Sequence, residues 1–308
     1  MERKYEFTDE TKEVLGRTLH RIVAVRSFGN VKKGDKGGWI EKESNLSHED
    51  NCWVYDDAEV YEDARVYDDA ILLSKAAVSD KASVCDKALV GGNAQVYGCA
   101  AVFGRAEVSG NAEVHNEAMV CGSAKVSGDA QVYEYAKVYS NAEVYDNAEV
   151  FGSAEVCGNA RVSGKAVLRG DAVVSSNRDY IVFKNWWSSG RYFTWTRSNN
   201  LWAVGCFYGT GEELIRKAYK DSEESGREYK RIVRYVNSVR SEEIGVRSKT
   251  NKNQTDKAMK DQRLKTLKEL EREIRKLRNE VEEIHAQVRD LTFDELGLDF
   301  SEKLGDRS

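Results

Sequence analysis

The stretch "VYSNAEVYDNAEVFGSAEV", Val138 to Val156, says nearly the same thing three times. Ala returns every six residues, and Val follows two places after each Ala. The register runs without insertion from Ala58 to Ala172, twenty hexads, with partners from Val60, Val66 and Leu72 through to Val162, Leu168 and Val174. Cys52 and Val54 extend it upstream by one hexad. An α-helix cannot use this beat: at 100° per residue a step of six rotates 240° and scatters the valines over three faces. In a strand, positions two apart share a face. "Ala-x-Val" therefore predicts a short strand with two inward side chains.

The next three residues must turn the chain. "YDN", "FGS", "SGN", "CGS" and "YGC" have Gly, Asp, Asn or Ser at the centre, residues that tolerate positive φ or bond their own backbone. Strand and corner repeated uniformly make a solenoid, each coil hydrogen-bonded to the next. Ala takes the tight slot near the corner and Val fills the axis, each buried Val contributing ~1.5–2 kcal/mol relative to exposure. Proline is absent, which suits a chain whose coils need their backbone N–H groups.

These tandem hexads resemble the hexapeptide-repeat left-handed parallel β-helix family, and in particular its YdcK-like group of bacterial and phage proteins. There, "NAxVxG" runs follow an N-terminal segment similar to "GRTLHRIVAVRSFGNVKKGDKGGWIEKESNLS", residues 16 to 47. The resemblance covers residues 1 to 176 and implies the handedness and a three-sided coil of three hexads. At ~4.8 Å per coil, seven to eight coils make a prism roughly 35 Å long. The expected organisation is an N-terminal cap at 1–50 and the β-helix at 51–176. A small aromatic α+β module follows at 177–245, and a linker, a parallel coiled-coil helix and a short tail at 246–308. Trp39, Ile40 and Leu46 are the expected plug of the open end.

With three hexads per coil, residues 18 apart stack. The outward slot after each Val reads Tyr67, Cys85, Phe103, Cys121, Tyr139, Cys157 on one wall. A second wall reads Tyr61, Ser79, Tyr97, His115, Tyr133, Phe151, Arg169, and the third is mostly small. The aromatic and thiol stripes are interface candidates; stacking of like residues with no partner is the alternative. Early coils carry many acids, among them Asp56, Asp57, Glu59, Glu62, Asp63, Asp68 and Asp69, read as a solvated face rather than a nucleic-acid mimic.

The family resemblance brings acyltransferases and a zinc carbonic anhydrase into view. The first need a histidine base and usually a loop thrown out of the helix; the second needs three metal histidines. The four histidines here, His20, His48, His115 and His285, are too dispersed for a metal site, and no loop interrupts the hexads. His115 is a weak catalytic candidate, and no cofactor or metal is expected. The six cysteines form no CxxC pair and read as free thiols. The charged start and the lack of a long apolar run predict a cytoplasmic protein without a membrane span.

After Ser176, "DYIVFKNWWSSGRYFTWTRSNNLWAVGCFYG" predicts strands at 180–184, 192–196 and 201–207. Capping boxes at Thr210/Glu213 and Ser225/Glu228 predict helices over 211–222 and 226–240. "VGCFYGTGEEL" resembles a module that follows hexapeptide runs in some phage proteins. Trp186, Trp187, Arg191, Tyr192, Trp195 and Arg197 are candidates for binding a nucleotide by stacking and charge, with the module's own core as the competing use of the rings.

Residues 256–291 keep a heptad, with Leu267, Ile274, Val281 and Val288 at a, and Leu270, Leu277, Ile284 and Leu291 at d. That predicts a parallel homo-oligomer, with a trimer favoured over a dimer. The functional expectation is a non-catalytic scaffold with a protein partner, which the phage-like resemblance places against a host defence component. A nucleotide-sequestering protein and an acyltransferase are the alternatives.

Overall fold

The computed structural model describes residues 2–241. The chain divides into two compact units, Met1–Arg231 and a second from Ile232 on. In the first, every Ala-x-Val phrase becomes a two-residue strand. Each rung pairs in parallel with the rung 18 residues away: Glu113 opposes Gln131, Gln131 opposes Glu149, and Glu149 opposes Val167. Three parallel walls result, and the Ala and Val/Leu slots from Ala58 to Val174 are no more than 1% exposed. The mainly β solenoid expected from the beat is present, about eight turns long.

The corners follow from backbone chirality. The central corner residue, every sixth from Asp56 to Gly170, has φ between 53° and 75°. Ten of these are Gly and ten are not. Left-handed backbone costs an L-residue ~1–2 kcal/mol, and the structure offsets much of it with side chains. Corner acids of one coil accept the corner N–H of the next: Asp56 from Ser74 (3.0 Å), Glu62 from Asp80 (2.8 Å), Asp68 from Asp86 (3.1 Å) and Asp80 from Gly98 (2.9 Å). This gives many of the early acids a task within the rod.

The first coil is irregular. Ile40 pairs with Val60 and Leu46 with Val66, each 20 residues away, whereas Val54 pairs with Leu72, 18 away. Two surplus residues therefore lie between Leu46 and Val54. Upstream, Tyr5–Val14 and Arg17–Ala24 form an antiparallel hairpin that continues through Lys36–Ile40 into one wall. Ile40 and Leu46 are buried, as expected of a plug, but Trp39 is not the third member. It pairs beside Glu59 on the outer face, its ring under Lys12 and Arg21. Trp53, fully buried, fills that role with Tyr5 and Ile22.

At the other end, Tyr180–Lys184, Tyr192–Thr196, Leu201–Val204 and Phe207–Gly209 form a four-stranded antiparallel sheet. The single strand expected at 201–207 is split by a turn at Gly205, whose φ is +54°. Thr210 and Glu213 make the expected capping box for the helix Gly211–Asp221. The next helix, 223–241, begins earlier than expected. Ser225 is buried inside it, and Ser222 instead accepts the Ser225 N–H (3.0 Å). The heptad core Leu267 to Leu291 lies outside the described residues.

The sheet is seated on the last coil. In this solenoid the strand N–H groups donate to carbonyls of the following coil, as Glu59 N does to Ala76 O and Tyr61 N to Val78 O, so the strands of the last coil have N–H groups with no next coil. One per wall is met by a side-chain oxygen: Arg161 N by Asn177 Oδ1 (2.8 Å), Val167 N by Thr194 Oγ1 (2.9 Å) and Val173 N by Ser198 Oγ (2.8 Å). Tyr208 lies over Gly170, where an added Cβ would come within 2.2 Å of its hydroxyl. The first coil has the opposite need, for its carbonyls have no preceding coil. Backbone N–H groups of Trp39, Glu41 and Ser47 serve some, and the Asn45 amide serves Glu62 (2.9 Å) and Ala64 (2.8 Å).

Candidate functional site

The 18-residue stacking converts the outward slots into ladders. Tyr97, His115, Tyr133 and Phe151 are parallel plates, with centroids 4.7, 5.0 and 4.7 Å apart. The Arg169 guanidinium continues the stack, 5.0 Å from the Phe151 ring and 4.8 Å from that of Tyr208. Both faces of the His115 imidazole are thus covered, and its Nδ1 lies 3.1 Å from Asn116 Oδ1. Burial, helped by the charges of Glu149 and Glu134, pushes Tyr133 up to about 12.

On the neighbouring wall Tyr67, Cys85, Phe103, Cys121, Tyr139 and Cys157 alternate ring and thiol. None of the cysteines is in a disulfide. Burial pushes the Cys85 and Cys121 thiols up, away from the thiolate a nucleophile requires. A hydrogen bond with Cys85, with burial behind it, raises Tyr67 to about 12. Tyr139 is raised by its contacts with Cys157 and by burial, and its hydroxyl donates to Glu155 (3.0 Å).

The aromatic candidates of the sheet do not share one surface. Trp195, 2% exposed, lies in the module's core with Phe193 and Trp202, and its Nε1 donates to Asn200 (3.0 Å). Trp187 is half-buried, edge-on to Tyr229 at 5.2 Å and to Trp186 at 6.0 Å. Trp186 is 77% exposed. Tyr192 lies under Lys165 and Lys184, and Arg197 is 3.9 Å from Asp179. Arg191 is exposed, and its carbonyl accepts the Asn185 N–H (2.7 Å). Among the described residues no three His, Cys, Asp or Glu side chains come together as a metal site. No described helix is long and apolar enough to cross a membrane.

A family model described as the YdcK β-solenoid repeat matches residues 154–170. The chain is also similar to the protein named uncharacterized acetyltransferase YdcK of Escherichia coli (strain K12), at 41% identity over 51 residues. That is 17% of this chain and 15% of the relative's length. The hexads, stacked in rungs every 18 residues, are consistent with both matches. The chain is a hexapeptide-repeat β-solenoid protein.

A buried polar centre lies at the first coil, among residues that the hexad reading did not single out. Lys4, fully buried, inserts its ammonium under the first coil and donates to Glu49 O (3.1 Å), Cys52 O (2.9 Å) and Cys52 Sγ (3.1 Å). The backbone N–H of Lys4 donates to His48 Nδ1 (3.2 Å), and the His48 ring stacks on Tyr5 at 4.3 Å. Burial lowers the pKa of Lys4 and of His48 and raises that of Cys52. The partners are more than forty positions apart, so no spacing rule connects them. Beside this centre a groove of about 1010 Å³ opens on the ring-and-thiol wall, bordered by Ser47, His48, Arg65, Tyr67 and Lys81.

Proposed function

We propose that the chain is a non-catalytic oligomeric scaffold, a rigid rod that holds binding surfaces at fixed spacing. The unbroken register carries this reading. Every inward slot over twenty hexads is filled and closed to solvent, so no loop leaves the rod to build a reaction pocket. His115, the histidine inside the array, is clamped between Tyr97 and Tyr133, which leaves only its edge for a substrate. The heptad at 256–291 is the proposed assembly device, a trimer being favoured because rod and coil must share one symmetry. A protein partner, in the setting of interference with a host defence component, is the use this scaffold would serve.

A second reading, acyl transfer, is favoured by one observation: the Escherichia coli relative is named an uncharacterized acetyltransferase. The two are separated by following thiol release from acetyl-CoA over a panel of amines. The scaffold reading expects no turnover. Turnover that disappears in His115→Ala would establish the second reading instead. Nucleotide sequestration rests on the exposed Trp186 alone; a concentration-dependent rise in melting temperature with a nucleotide, lost in Trp186→Ala, would support it.

A further inference from the structure

We propose that the ring-and-thiol wall of the solenoid is the contact face for a second copy of this chain, laid antiparallel. The inference stands apart from the scaffold reading: a two-fold across the rods is compatible with a three-fold along them, and an enzyme could pair in the same way.

The rungs of this wall run in register from Arg65–Val66 through Ser83, Ala101, Met119 and Lys137 to Glu155–Val156. Each presents one outward residue before its buried Val and one after it. The three middle rungs are uncharged: Ser83 with Cys85, Ala101 with Phe103, and Met119 with Cys121. The other two walls carry Glu113 in one case, and Glu107 and Lys125 in the other, at comparable height. Charge returns only at the two ends of the wall, as Arg65 at one and Lys137 and Glu155 at the other.

A two-fold axis perpendicular to the rod, passing between the rungs of Ala101 and Met119, sets Ala101 of one copy against Met119 of the other, Ser83 against Lys137 and Arg65 against Glu155. Arg65 is exposed and makes no ion pair among the described residues; Glu155 is held by Lys137 (3.4 Å) and the Tyr139 hydroxyl. In the second column every thiol meets a ring: Cys121 faces Phe103, Cys85 faces Tyr139, and Cys157 faces Tyr67. Sulfur against an aromatic ring is a favourable contact. The same axis carries Val173, 40% exposed, towards the Ser47 end of the groove beside Arg65. Parallel rods give no such match. A two-fold running along the stripe sets each cysteine against its own copy and leaves Arg65 five rungs from Glu155.

The test uses the full-length chain. In Phe103→Cys, mild oxidation with copper-phenanthroline is expected to give a covalent dimer on a non-reducing gel whose mapped interchain link joins position 103 to Cys121; an intrachain link between these adjacent rungs runs as a monomer and does not count. Arg65→Glu is expected to weaken the association about tenfold, as two rim ion pairs turn repulsive. Arg65→Glu with Glu155→Arg restores it. Interchain Cys121–Cys121 or Cys85–Cys85 links in the oxidised wild type would overturn the proposal. So would the absence of the 103–121 link from a Phe103→Cys chain with an unchanged circular dichroism spectrum. If that spectrum changes, the charge variants decide alone, and an unweakened Arg65→Glu association overturns the proposal.

Discussion

The ammonium of Lys4 lies 2.9 Å from the carbonyl oxygen of Cys52 and 3.1 Å from the same residue's sulfur. With Glu49 O the three N–H donors have three acceptors, and the Phe28 ring covers the group at 5.0 Å. A buried lysine without a carboxylate is tolerated here because an open solenoid end consists of carbonyls. Lys4→Met keeps the length and removes the donors. It is expected to lower unfolding stability by about 2–4 kcal/mol in urea titrations, since buried carbonyls are then left unmet. A change below about 0.5 kcal/mol, the size of an ordinary surface substitution, would show that water serves those carbonyls equally well.

Corner chemistry makes a prediction of opposite signs at two glutamates. Glu62 and Glu134 have nearly the same φ, 57° and 58°. Glu62 accepts the Asp80 N–H (2.8 Å) and pairs with Arg17 (2.7 Å). Among the described residues, Glu134 caps no corner N–H in this way. Glu134→Gly is expected to raise stability by about 0.5–1 kcal/mol, the relief of left-handed strain less the added freedom of the unfolded chain. Glu62→Gly is expected to lower it by about 1 kcal/mol through the lost hydrogen bonds. Paired denaturation curves decide; equal signs would contradict the account of the corners.

The N-terminal cap is expected to be acid-sensitive. Burial holds the His48 pKa below its ordinary value, despite the opposing charge of Glu43, and Nδ1 must stay unprotonated to accept from Lys4. Folding then favours the neutral ring. Its stabilising contribution is complete above the unfolded value near 6.5 and is lost as pH falls through the lower folded value. Melting temperatures from pH 8 down to pH 5 should decline in the wild type, and less steeply in His48→Gln. Tyr133 works in the other direction. Its pKa is raised to about 12, so its contribution is complete below about pH 10 and is lost as pH rises towards that value. Tyr133→Phe should flatten the alkaline decline.

The solenoid was legible because its period is local: Ala, Val and a turn residue each hold one slot, and neighbouring hexads repeat the instruction. That legibility fails where the beat begins. The count could not reveal the two surplus residues between Leu46 and Val54, so it assigned Trp39 to the plug when Trp53 fills it. Strand alternation fails at the other end for a different reason. In Tyr192–Thr196, Phe193 and Trp195 face the module's core, but Thr194 and Thr196 are buried too. The second face sits on the last coil, where Thr194 serves as a cap. Asn177, Thr194 and Ser198 look like ordinary turn and strand residues; only the tertiary contact gives them acceptor roles.

The central claim is that oppositely polar caps close the rod: donors meet the carbonyl end, and side-chain oxygens meet the N–H end. Its most direct test is the full-length triple variant Asn177→Leu, Thr194→Val, Ser198→Ala, followed by small-angle scattering over a concentration series beside thermal melting. The predicted result is a melting transition lowered by the loss of three capping hydrogen bonds, about 1 kcal/mol each, with a particle length that does not grow with concentration because the carbonyl end keeps its own donors. A variant with wild-type melting, or one whose particles lengthen with concentration, would contradict the account.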